Sequence, residues 1–417
     1  MLKFALYNNL LYSNSLMATI RPFMALRPQE VYVDKMLSPR PTSLAGNYRG
    51  VIAQKLDNGY DGNQDLTNDN ILGNLRKMIH EGDFYQEENP CIFIYEITEG
   101  NNIQTGVWAV TDLDDFENGH IKTHGSMMEC YAAGLMNYRD EVGLEGGPLL
   151  ITHRPTSAIR SLLHQVKQTE TNSVYYSNKV FHRIWSVYDM RTIRQFRECF
   201  SELQNVYLAD GHHRLAAAVK YREMNKESLP EDFNYISSFY LASDQLKIKE
   251  FHRVIIPTVD ICADYVFREL KKSFSITKSP RNELVMPKRK HEFGLFIEGK
   301  WFNMSFKLKD ITPLPDACML QEMVFKPFFK IEKPETDQQL IPVGGAGAIE
   351  EVRKLILENP NAIAFTMSPL NADQLIDIAQ KGIILPPKST WIEPKIPFGL
   401  LLRKLQNPVT NYKFQVY

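Results

Sequence analysis

The stretch VYLADGHHRLAAAVKYRE, residues 206–223, governs how this 417-residue chain reads. Residues 206–209 are an apolar run of strand character, stopped by Asp210-Gly211. An alanine-rich run with helical spacing follows. Where a strand hands over to a helix, the first-turn N–H groups have no intrahelical partner, and the helix dipole adds partial positive charge there. Gly211 lets a ligand come close to the backbone, and Arg214 adds a fork of donors that matches phosphate oxygens. Residues 211–214 therefore have the chemistry of an anion site at a helix start. Asp210 stands at the strand's end, where it can hold Mg²⁺ or orient a hydroxyl. His212 and His213 bring hydrogen-bonding groups whose charge changes near neutral pH. The plainer alternative makes Asp210 an N-cap and the histidines bystanders. Packing rarely demands two adjacent histidines followed by an arginine, and this favours the site.

Composition narrows the class. The chain is long enough for two or three domains. With 48 basic against 49 acidic residues, it has no overall pull toward nucleic acid or an anionic membrane. Five cysteines, widely spaced and without a C-x-x-C pair, read as reduced thiols in a cytoplasmic protein rather than a zinc site. No apolar run reaches the length of about 20 residues that spans a bilayer. The opening MLKFALYNNLLYSNSL lacks a cleavage pattern and reads as a disordered leader over residues 1–17, with Met17 as an alternative start.

Periodicity predicts strands at 90–98, 104–113, 147–153 and 182–189, and a helix over 191–203. A further helix over 70–82 ends at Gly82, and more strands lie in FNYISSFYLAS and QLKIKEFHRVII. Beyond residue 257 the texture changes. There a helix, a hairpin around Glu298-Gly299-Lys300, and the helices AIEEVRKLILENP and NADQLIDIAQKG flank the strand AIAFTMS. Interleaved elements imply a mixed α/β (α+β) protein. The expected division is a domain over 18–257 carrying the D-G-H-H-R box and a C-terminal α/β domain over 258–417.

ADGHHR before an alanine-rich helix resembles the phosphate-binding box of the ParB/sulfiredoxin superfamily, and within it the SerK-like free-serine kinases. More of the chain is similar to a large, mostly bacterial branch long catalogued as a domain of unknown function. That likeness runs from about Ile20 to Leu402 through RPFMALRP, QTGVWAVTDLDDFENGHIKTH, GLEGGPLLIT, VYLADGHHRLAAA, DQLKIKEFHRVI, TDQQLIPVGG and LPPKSTWIEPK. The resemblance implies a ParB/sulfiredoxin-like core and a small-molecule kinase with serine as acceptor. ATP, ADP or pyrophosphate would be the donor, with Mg²⁺ at Asp210. For that chemistry we assign donor-phosphate contacts to Gly211, His212 and Arg214, with Asp210, His124 and His213 as catalytic groups. One departure matters: SerK-like kinases use a glutamate as base toward the serine hydroxyl, and related sequences carry a glutamate right after the K-x-H motif. This chain has Gly125 there, and Glu129 is the next acid. Either His124 takes the base's role or activity is lowered or lost, leaving a nucleotide- or phosphate-binding protein.

Other stretches have two readings each. In LPPKSTWIEPK, the residues Lys388, Ser389 and Thr390 suit a phosphate clasp, or form a stiff loop anchored by Trp391. Gly344, Gly345 and Gly347 make a second anion cradle or a tight turn. Arg21 and Arg27 either point into a site or pair with surface acids, and Arg27 and Lys122 are the possible substrate contacts. The pairs His153-Arg154, His182-Arg183 and His252-Arg253 read as structural. The basic stretch 270–293 has no helix-turn-helix signal and reads as a solvated loop.

Overall fold

The computed structural model describes residues 18–31, 33, 73, 76–125, 135, 136, 138–140, 142–226, 229–258, 261–307 and 314–405. The leader expected over 1–17 lies outside them. The chain divides into two compact units. Unit 1 comprises residues 1–122, 127–245 and 394–417, and unit 2 comprises 123–126 and 246–393.

In unit 1 the strands are β1 (Ile20–Arg21), β2 (Ala25–Pro28), β3 (Phe84–Gln86), β4 (Ile92–Glu99), β5 (Asn102–Asp112) and β6 (Ile121–Lys122). They continue with β7 (Leu144–Glu145), β8 (Leu149–His153), β9 (Ser173–Ser177), β10 (Val180–Val187), β11 (Val206–Asp210) and β12 (Tyr235–Ala242). Its helices are α1 (Asp114–Glu117), α2 (Ser157–Lys167), α3 (Met190–Ser201) and α4 (His212–Met224). A nine-stranded sheet runs β6-β11-β8-β12-β5-β4-β10-β9, with β1 on β5. β11 is parallel to β6, and β12 is parallel to β8. The β4–β5 hairpin forms because two long apolar strands meet at a turn where Gly100 has φ 57°.

α4 lies against this sheet through Leu215, Ala218 and Val219, which join Leu149, Ile151, Phe196, Leu208 and Tyr240 in one core. Its small alanines allow close approach of helix to sheet. Its last turn is pinned by Arg222, which donates to Asp114 and Glu117 of α1. The register of β11 on β8 shifts between Leu208 and Asp210. Such a bulge bends the strand end and re-aims its last side chain, here Asp210.

The expected helix over 70–82 is helical at 73 and 76–80, and Gly82 ends it with φ 78°. α2 has no counterpart among the sequence expectations, although Thr156 caps it and Ile159, Leu162, Leu163 and Val166 repeat at helical spacing. A smaller sheet pairs β3 with β2, and the strand Leu402–Lys404 lies between β2 and β7. Residues 394–417 thus belong with unit 1, a long-range pairing to which sequence texture is blind. The texture change near 257 falls within unit 2.

Unit 2 holds β13 (Lys247–Lys249), β14 (Phe251–Ile255), β15 (Phe274–Lys278), β16 (Glu292–Ile297), β17 (Lys300–Phe306), β18 (Leu340–Gly344), β19 (Ile363–Met367) and β20 (Trp391–Glu393). Its helices include α5 (Ala263–Ser273), α6 (Ala348–Glu358) and α7 (Ala372–Gln380). A six-stranded sheet runs β15-β17-β16-β19-β14-β18, and β13 pairs with β20. The β16–β17 hairpin turns at Glu298 and Gly299, both left-handed at φ 49° and 68°. The architecture is mixed α/β with several sheets. Among the described residues, no helix is long and apolar enough to cross a membrane.

Candidate functional site

The candidate site in unit 1 is built where β11 meets α4. Gly211 is the N-cap of α4, with φ 103° and ψ 21°, a left-handed conformation that favours glycine. Among the described residues no side chain caps this helix start. Asp210 therefore does not act as the N-cap. Its Oδ1 accepts the Gly211 N–H at 2.9 Å, and its Oδ2 accepts from Lys395 Nζ at 3.1 Å.

Arg214 folds back over the turn. A Cβ built on Gly211 would lie 2.9 Å from Arg214 Nη2 and 2.9 Å from Leu149 Cδ2. The other side of the guanidinium meets an aromatic face, with its carbon 5.2 Å from the Phe398 ring centre. Phe398 in turn presses on Gly147, where a Cβ would come within 2.3 Å of the ring. Gly147, Phe398, Arg214 and Gly211 thus form one stack, possible because two of its members lack side chains.

The charges in the turn are coupled. Desolvation pushes the Asp210 carboxyl up, but Lys395, Arg214 and His212 outweigh it and hold the group down at about 2. Asp210 therefore stays ionised at neutral pH. It is a weak proton acceptor and a good partner for a cation. His212 and His213 are half-buried in the first turn of α4. Among the described residues no group of three or more His, Cys, Asp or Glu side chains could hold a metal ion. A Mg²⁺ ion that arrives with a phosphate ligand needs one or two carboxylates, and Asp210 meets that requirement.

Lys122 is half-buried in β6, paired with Tyr207 of β11. Arg27 is buried, and its guanidinium is engaged: it donates to Glu87 at 3.0 Å, to Ser173 at 2.6 Å and to Ser186 at 3.5 Å. That network gives Arg27 a packing task.

Unit 2 brings together the other expected residues. His124 is buried, with Nε2 3.5 Å from Thr390 Oγ1. Its carbonyl accepts the Leu385 N–H at 2.8 Å, and Gly125 forms a parallel bridge with Leu385. Glu129 lies outside the described residues. Lys388 is exposed in a left-handed conformation, φ 56°. Ser389 donates its hydroxyl to the Pro386 carbonyl at 2.5 Å, so this proton is already used within the loop. Trp391 anchors the loop, because a Cβ on Gly345 would meet its ring at 2.5 Å. Gly344 is likewise pressed against Phe251, at 2.5 Å. Close aromatic packing therefore accounts for these two glycines.

The histidine–arginine pairs have structural partners. His153 Nδ1 lies 2.8 Å from the Arg154 carbonyl, His182 Nδ1 lies 2.7 Å from Tyr95 Oη, and His252 Nδ1 accepts the Met367 N–H at 3.2 Å. Sequence reasoning missed Lys395 and Phe398 as parts of the turn. Lys395 ends the quoted LPPKSTWIEPK, but nothing local says which acid it meets.

The fold and turn define a mixed α/β protein with an unusual helix start: a left-handed glycine, a folded-back arginine and an ionised aspartate tied to a lysine. Residues 20–324 match the model of the family described as protein of unknown function (DUF1015), and the chain belongs to that family. No curated protein matches it. Among solved structures it is similar to a conserved hypothetical protein from Pyrococcus furiosus (TM-score 0.36, 14% identity, covering 71% of this chain and 95% of that one). It is also similar to a free serine kinase in complex with AMP (TM-score 0.37, 15% identity, 72% and 91% covered). A third is SbnI with a C-terminal truncation from Staphylococcus aureus (TM-score 0.37, 9% identity, 74% and 90% covered).

Proposed function

We propose that the chain is a cytoplasmic small-molecule kinase on a ParB/sulfiredoxin-like core, with free L-serine as the acceptor to test first. Phosphoryl transfer asks little covalent help from a protein. It asks for positioning and for positive charge around the transferring group. The observation that carries the reading is the helix start at 211–214, where Arg214 lies over Gly211 at the positive end of α4. In this reading the first-turn N–H groups, His212 and Arg214 receive the donor phosphates. His213 contacts the transferring group. Asp210, kept ionised beside Lys395, orients the acceptor or holds the Mg²⁺ that neutralises phosphate charge.

Unit 2 by itself holds a second set of assignments, the exposed Lys388 with Ser389 and Thr390 to a phosphate group, and His124, beside Thr390, to a base's role. Full-length protein is incubated with serine, Mg²⁺ and, in turn, ATP, ADP, CTP and pyrophosphate, and phosphoserine is read by mass spectrometry. At least one donor is expected to yield product, and Arg214→Ala to lower the rate on the order of 100-fold with an unchanged circular dichroism spectrum. Wild-type turnover by Arg214→Ala sinks the assignment of roles.

A second reading is favoured by Gly125, which replaces the expected base. It makes the chain a nucleotide- or phosphate-binding protein without turnover. A donor then raises Tm without yielding product, and Gly125→Glu is the companion variant.

A further inference from the structure

Five described arginines are buried: Arg27, Arg139, Arg222, Arg253 and Arg403. Four of them meet carboxylates. Arg27 pairs with Glu87, Arg139 and Arg403 with Glu145, and Arg222 with Asp114 and Glu117. Arg253 is the exception. It is 3% exposed, and its guanidinium meets neutral groups, the backbone carbonyls of Phe251 at 3.4 Å, His252 at 3.2 Å and Pro387 at 3.1 Å and the Phe251 ring, whose centre lies 6.0 Å away. Among the described residues no acid stands against it.

A buried charge without a counter-charge is costly. Latching the Pro387 carbonyl needs only a neutral donor, so the latch does not explain the charge. The carbonyl it holds belongs to the loop over residues 386–390. That loop exposes Lys388 at φ 56° and carries the Thr390 hydroxyl. One cation is therefore buried behind the loop and one is exposed on it.

We infer that unit 2 carries a site for a phosphate-type oxyanion, with Arg253 as its buried charge and Lys388 as its outer charge. The oxyanion takes the place of the Pro387 carbonyl on Arg253 Nη2, so that binding and loop position are coupled. Two cations match a group bearing more than one negative charge better than a carboxylate. Burial alone pulls the guanidinium down to about 10, a cost that the anion relieves. The inference rests on the reading of residues 386–390 as a phosphate loop, and not on the turn at 210–214.

The test is thermal unfolding of the full chain with inorganic phosphate, pyrophosphate or serine, against chloride at matched ionic strength. Wild type, Arg253→Gln, Arg253→Lys, Lys388→Gln and Arg214→Ala are compared. Phosphate or pyrophosphate is expected to raise the wild-type Tm by about 2–5 °C. Arg253→Gln loses that shift, Arg253→Lys retains part of it, and Lys388→Gln weakens it. Ligand-free Arg253→Gln unfolds no earlier than wild type, because an uncompensated charge has gone. Should Arg253→Gln fail to fold, Lys388→Gln decides at an exposed position, and an unchanged shift overturns the site. A purely structural latch lowers the Tm of Arg253→Gln and leaves the phosphate shift intact, which also overturns it. So does a shift from serine alone. If phosphate shifts Arg253→Gln but not Arg214→Ala, this inference falls while the 210–214 turn stands. If neither phosphate nor pyrophosphate shifts wild type, the loop reading falls with it.

Discussion

Arg214 and Gly211 occupy one another's space: Arg214 Nη2 lies 2.9 Å, and its Nε 3.2 Å, from where a Cβ at 211 would stand. The missing side chain is what lets the guanidinium turn back over the start of its own helix. Phe398 holds it there from the far side, 5.2 Å from ring centre to guanidinium carbon.

Gly211→Ala therefore carries two penalties. The backbone φ of 103° is strained for an L-residue, and the new methyl displaces Arg214 and Leu149. We expect a loss of about 1–3 kcal/mol in urea unfolding and a fall of about 10-fold or more in affinity for the phosphate donor. Gly299→Ala is the control. It has a φ of 68° with open space around it, so it should cost stability and leave binding unchanged.

Lys395→Gln should raise the titration midpoint of Asp210 above about 2, as followed by carboxyl NMR. The folded carboxyl of wild type lies below its unfolded value, so the contribution of the pair is present above about pH 4 and is lost as pH falls toward 2. Wild type and variant should converge in stability at acid pH and differ most near neutrality. The Asp210 side chain is 44% exposed, so the difference should shrink with added salt. A midpoint unmoved by the substitution would show that Lys395 does not set the charge of the turn.

Asp115 gives the opposite sign. It is 5% exposed, and burial, with Asp112 and Asp114 nearby, raises its carboxyl to about 7. Its Oδ2 accepts the Thr19 N–H at 2.6 Å. The native state holds this proton where the unfolded chain has lost it, so stability falls as pH rises from about 4 through 7. Asp115→Asn keeps an acceptor for Thr19 and removes the titration. It should flatten that slope and stabilise the protein at pH 8 by on the order of a few kcal/mol. Equal slopes in urea unfolding at pH 5 and pH 8 for both proteins would count against it.

Much of the fold was legible because its signals are local. The β4–β5 hairpin, α3 and the β16–β17 hairpin each follow from a run of side chains and the turn residue beside it. The short strands β2, β3 and β7 were not legible, since strands this brief exist only through their partners. At the site, residues 210–214 stood out by type and order. The engagement of Arg27 with Glu87, Ser173 and Ser186 did not, because those partners are scattered along the chain.

By itself, the sequence determined that a strand ends at Asp210, that a glycine turns the chain, and that an arginine stands in the first turn of the helix behind it. Those are matters of neighbouring residues. Only the tertiary structure decided that Lys395, 185 positions away, neutralises Asp210, that Phe398 backs Arg214, and that Arg253 is buried with no acid against it among the described residues. Charge compensation and packing act through space, and the spacing of residues along a chain does not say which of them will meet.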